Sequence, residues 1–174
     1  MKSINVSFAA SLIVIALALT IGLVVNTQAQ TKPEVLTDAA LTRVVPKSFY
    51  FAGQSADTQM RNAAAAKIAE NRYLVAGLVD TSGYSTEISG KYEGFIITDS
   101  FVKIGNKMLA TGAYGFGFSS DNKMNIFDLS SKLILSVPTA TDAQLTRPRP
   151  LMMTIGANGV RLYKGKSYVR ITSK

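Results

Sequence analysis

The chain has 174 residues, with 19 Lys and Arg against 11 Asp and Glu for a net charge of +8, and it contains no Cys and no His. Without Cys there is neither a disulfide framework nor a thiolate site, and without His the Ser-His-Asp and Cys-His nucleophile systems and nearly all transition-metal sites are excluded. Catalysis is left with Asp, Glu, Lys, Tyr, Ser and Thr, so composition favours a non-enzymatic role and asks for no cofactor.

At the N-terminus, Lys2 supplies one positive charge and Val6 to Val25 then runs without any. Thr27 and Ala29 are small residues placed before a cleavage point, so residues 1–29 read as a signal peptide cut after Ala29. The rival reading is an uncleaved N-terminal membrane anchor, because the apolar run approaches the ~20 residues that span a bilayer. Residues 30–43 are polar around Pro33 and read as a flexible lead-in to a single β-domain over 44–174.

From Val44 onward, short apolar runs alternate with turn residues. Strands are expected over Ser48 to Ala52, Tyr73 to Val79, Tyr92 to Thr98, Phe101 to Ile104, Ala113 to Phe118 and Met124 to Leu129. Leu133 to Val137, Leu151 to Ile155, Val160 to Tyr163 and Ser167 to Thr172 complete the set. Nine or ten short strands at near-regular spacing predict an all-β fold, a single sandwich or barrel. Gly115-Phe116-Gly117-Phe118 places both Phe on one face and both Gly on the other, where another backbone is expected to approach closely. Residues 57–71 resist the pattern. Ala63 to Ala66 behind Asp57 tip the expectation to one short helix, while the flanking β context offers a strand as the alternative.

Several motifs fall short of a chemistry. Gly159 to Ser167 has five residues between its glycines where a phosphate-binding loop needs four, and a strand pattern follows it in place of a helix. A hairpin turning at Lys164-Gly165-Lys166 explains it better. Ser120-Asp121-Asn122-Lys123 satisfies two motifs of penicillin-recognising enzymes with the same four residues, where those enzymes need separate elements. Asp80-Thr81-Ser82-Gly83 interrupts the aspartic-protease run and has no second copy. Glu87, Glu93 and Asp99 are the nearest thing to paired carboxylates for a hydrolase.

The stretch Ile104-Gly105-Asn106-Lys107-Met108-Leu109-Ala110-Thr111-Gly112-Ala113-Tyr114-Gly115 resembles a Gly-Gly-Lys-x-Leu-Pro-Ala-Gly-x-Tyr pattern in small exported bacterial β-proteins of unknown function. It keeps Gly105, Lys107, Leu109, Gly112 and Tyr114, differs at Asn106 and lacks the Pro. The resemblance implies a β-rich exported domain and carries no functional residues with it.

Charge is the strongest functional signal. From Gln30 to Asp142 there are eleven bases and eleven acids; from Ala143 to Lys174 there are seven bases and no acid. Such asymmetry creates a local potential that attracts anions. Arg147, Arg149, Arg161, Lys164, Lys166 and Arg170 are therefore the candidate anion-binding residues, with Tyr163 and Tyr168 near the turn as aromatic company. For an exported chain the abundant polyanions are anionic lipid and acidic polysaccharide, and no nucleic acid is expected. The leading expectation is a binding or structural domain at the cell envelope with a basic C-terminal surface. A β-barrel carrier of a small apolar ligand is the alternative, and a carboxylate-based hydrolase comes last.

Overall fold

The computed structural model describes residues 32–173. The expected signal peptide, its cut after Ala29 and the rival anchor all lie outside the described residues. Among those residues no helix is long and apolar enough to cross a membrane.

Two antiparallel sheets make the fold. The larger runs β1 (Glu34–Val35), β3 (Gln54–Ala69), β4 (Arg72–Val79), β5 (Gly94–Thr98), β8 (Gly112–Ser119), β9 (Lys123–Phe127) and β10 (Leu133–Pro138), with β2 (Ser48–Phe51) paired to the first part of β3. The smaller runs β12 (Met152–Gly156), β13 (Gly159–Lys164), β14 (Ser167–Ser173), β6 (Val102–Ile104) and β7 (Lys107–Leu109), with β11 (Ala140–Thr141) beside β14. The all-β expectation holds in its sandwich form. The sheets do not close into a barrel.

The larger sheet is buried on both faces. Leu74, Ala76, Ile96, Phe116 and Ile126 point towards the smaller sheet and meet Ile104, Leu162, Val169 and Ile171 there. On the other face Val75, Phe95 and Phe127 lie under Phe49 and Phe51 of β2, with Tyr84 and Tyr92 alongside. Phe51 stacks on Tyr92 at 3.9 Å between ring centroids and Phe49 on Phe95 at 4.7 Å. Two-sided burial explains why β4 reads Leu-Val-Ala-Gly-Leu-Val without polar alternation. Each fully buried Leu, Ile or Phe contributes about 1.5–3 kcal/mol relative to exposure.

The glycine face of β8 is where layers touch. A methyl on Gly117 would run into the Lys91 carbonyl, and one on Gly115 into the Phe51 ring. The close approach expected from the alternation of Gly and Phe is therefore present, by backbone at one position and by an aromatic ring at the other.

Two expectations need correction. Residues 57–71 form no helix: most of the segment belongs to β3, which pairs with β4 from Ala63 to Ala69. Alanine's helix propensity is overridden because its small side chain suits both buried faces, Ala64 and Ala66 towards one core and Ala65 towards the other. β3 pairs with β4 at Thr58 and again from Ala63, and the irregular stretch between lets its first half turn away with β2 and cover the sheet. The described residues of the expected lead-in, 32–43, are not merely flexible chain either. β1 pairs with the far end of β3, and a helix over Asp38–Val44 follows, because Val35, Leu36, Leu41 and Val44 have cores to pack against.

Candidate functional site

The basic C-terminal residues gather where the chain leaves the larger sheet for the smaller one. After β10 ends at Pro138, Thr139 anchors the chain by donating from its amide and its hydroxyl to the Asn122 carbonyl. β11 then pairs with Tyr168 and Ser167 of β14. Residues 142–150 cross as a strap, with Pro148 and Pro150 removing two backbone donors that a regular strand would use. The strap is tied back at two points. The Asp142 amide donates to the Lys166 carbonyl at 2.9 Å, and the Gly165 amide donates to the Arg149 carbonyl at 2.9 Å.

Asp142 is the main fastener. Its carboxylate accepts the Tyr163 hydroxyl at 2.9 Å and lies 3.6 Å from the Arg161 guanidinium. Arg161 also donates to the Tyr163 hydroxyl at 3.3 Å and sits over the Tyr168 ring, 4.9 Å from its centroid. The Tyr163 hydrogen bond, then nearby charge, holds the guanidinium pKa above its already high value. Arg161 and Arg170 are directly opposite in the β13–β14 register, an arrangement of like charges that Asp142 offsets.

The turn between β13 and β14 carries the next group. Lys164 and Ser167 pair across Gly165-Lys166, and Gly165 has φ +60°, the geometry a tight two-residue hairpin asks of its first loop position. This is the hairpin expected from the broken phosphate-loop pattern. Lys164 forms an ion pair with Glu93, whose second carboxylate oxygen accepts the Phe118 amide at 2.9 Å. Its ammonium also lies 5.8 Å from the centroid of the Phe118 ring.

The six candidate bases therefore divide. Arg161 and Lys164 are half-buried and matched by carboxylates, whereas Arg147, Arg149, Lys166 and Arg170 are exposed and have no ion pair among the described residues. The acid-free tail is acid-free in sequence only. Folding brings Asp142 and Glu93 to it, and neither was signalled by composition, although Glu93 stands out as a single acid between Tyr92 and an apolar run.

Beside these cations lies an open cleft of about 480 Å³ between the β8–β9 loop and the β13–β14 turn. Leu78 and Phe118 form its apolar floor, Ser119, Ser120, Asn122, Thr139 and Ser167 supply hydroxyl and amide groups, and Lys164 borders it. Such a lining offers many neutral hydrogen bonds, one aromatic face and one cation.

The carboxylates do not converge. Glu87 is exposed on the short helix Thr86–Ser89 and pairs with Lys91 at 3.4 Å. Glu93 and Asp99 flank opposite ends of β5, about 20 Å apart at the rise of an extended strand, and Asp99 accepts the Tyr73 amide at 3.1 Å. Glycosidases hold their pair within about 5–9.5 Å. Asp80 closes a turn by accepting the Ser82 amide, which holds its carboxyl below the usual range. Ser120 to Lys123 lies in the β8–β9 hairpin, where the Lys123 ammonium reaches Asp121 at 2.6 Å. Among the described residues no group of His, Cys, Asp or Glu is placed to hold a metal ion. The chain matches no protein-family model, no curated protein and no solved structure.

Proposed function

We propose that this is an exported, non-enzymatic envelope domain that holds an acidic polysaccharide against its basic strap and the β13–β14 turn. The observation that carries the reading is the set of four exposed cations without acidic partners, Arg147, Arg149, Lys166 and Arg170, on segments tied to each other by backbone hydrogen bonds. Prolines on either side of Arg149 limit the entropy lost when its guanidinium is ordered on a ligand. The hydroxyl-rich cleft favours a glycan over a lipid headgroup, because sugars present many neutral donors and acceptors along with their charge. The carrier reading loses support from a sandwich whose inter-sheet space is filled by side chains. The separation of Glu93 from Asp99 weighs against a two-carboxylate hydrolase.

The test is retention of protein beginning at Gln30 on immobilised polygalacturonate, with anionic phospholipid vesicles as a second arm. Retention should fall as salt rises, since the Debye length shrinks from about 10 Å at 0.1 M to about 3 Å at 1 M. Replacing Arg147, Lys166 and Arg170 together by Gln should abolish it while leaving the melting temperature nearly unchanged. A variant retained like the parent overturns the proposal, and binding to vesicles alone moves it to lipid.

A further inference from the structure

A second pocket, of about 430 Å³, shares Arg149 with this surface and opens where the Asp38–Val44 helix, the bend of β3 and the start of β12 meet. Its floor is apolar, built chiefly from Leu36, Leu41, Leu151 and Met152. Two arginines are among its lining residues. Arg61 comes from the irregular stretch of β3, and Arg149 from the strap. We propose that this pocket binds a small single-chain carboxylic acid, its hydrocarbon lying on the floor and its carboxylate between Arg61 and Arg149.

Three observations bear on the ligand class. The volume falls within the roughly 300–1,000 Å³ typical of small-molecule sites, which combine apolar lining with a few polar groups. Neither Arg61 nor Arg149 has a carboxylate within ion-pair distance among the described residues, and a guanidinium is shaped to take a carboxylate through two parallel hydrogen bonds. One acid, Asp38, also lines the pocket, leaving two positive charges against one negative. That balance suits a monoanion better than a doubly charged phosphate. The Leu36 amide donates to the Ala65 carbonyl at 2.8 Å, which ties the wall of the pocket to β3 and preforms it.

The probe is decanoate below its micellar concentration, titrated calorimetrically into protein beginning at Gln30, with decanol and acetate as controls. Decanoate should bind one-to-one, decanol at least ten-fold more weakly, and acetate without measurable heat. Arg61→Gln and Arg149→Gln should each weaken decanoate at least ten-fold, and Asp38→Asn should tighten it. All three residues are exposed, so circular dichroism and melting should confirm an intact fold. Absence of saturable decanoate binding, or Arg61→Gln binding like the parent, overturns the proposal. Arg61 lies outside the surface assigned to polysaccharide, so Arg61→Gln should keep its retention on polygalacturonate. The two readings can therefore fail separately.

Discussion

Gly117 is the residue on which the layering depends most directly. Its missing side chain lets the Lys91 carbonyl approach the face of β8, and Lys91 leads into Tyr92, which stacks on Phe51. Gly117→Ala should destabilise the domain by about 2 kcal/mol or more, the range for forcing an extra carbon into a packed site. Gly83→Ala is the control, because a methyl there meets nothing within 4 Å and its effect should stay within about 0.5 kcal/mol. Urea midpoints of the two variants decide the matter, and equal losses would contradict this packing. Asp142 is the corresponding residue on the basic face. Asp142→Asn should cost about 1.5–3 kcal/mol, the scale of a hydrogen bond to a charged group. It should also strengthen retention on polygalacturonate by releasing Arg161. Chemical denaturation and salt elution read the two effects separately, and weaker retention would contradict the role given to Asp142.

At the scale of elements, the turns hold the pH-sensitive groups. Ser130 holds the Asp128 carboxyl below its usual range, Lys123 and Ser119 do so for Asp121, and Ser82 does so for Asp80. A lowered folded pKa means the folded state binds fewer protons than the unfolded one. These turns therefore stabilise the fold above the ordinary Asp value of about 4 and lose that contribution as pH falls through their folded values. The melting temperature should drop as pH is lowered below about 4, and Asp128→Asn should flatten that drop. An unchanged acid profile in the variant would contradict this role of Asp128. On the alkaline side, burial pushes the Tyr84, Tyr92 and Tyr114 phenols up. Raised folded values stabilise the fold below about pH 10, with the contribution lost as pH rises through them.

The elements also show which parts of the fold were legible. Ten strands could be read from apolar runs because turn residues such as Asp80 to Gly83 and Ser119 to Lys123 bound them. β3 was hidden because four consecutive alanines carry no period, and only pairing with β4 and burial on both faces make them a strand. β1, β7 and β11 have two or three residues each, too few for any pattern to repeat. For the candidate surface, sequence located the cations, since charge clustering along a hairpin survives folding. It missed Glu93 and Asp142 as partners of Lys164 and Arg161, because pairing over 71 and 19 residues of separation depends on how the sheets stack. The pocket between Arg61 and Arg149 was invisible for the same reason.

For the whole molecule, the larger sheet is buried between two apolar clusters, and the strap is tied down by Asp142, Gly165 and Tyr163. Charge and packing are thereby separated: apolar layers hold the fold, and the free cations stand at exposed positions, where substitution costs little stability. We propose that Arg147, Arg149, Lys166 and Arg170 form one anion-binding surface with the neighbouring cleft. Titrating a short polygalacturonate oligomer into isotopically labelled protein and following backbone amide shifts tests it most directly. The largest shifts should fall on residues 147–149 and 164–170 and around Ser119 to Asn122, and added salt should reverse them. Shifts centred on other faces of the sandwich, or none at low salt, would contradict it.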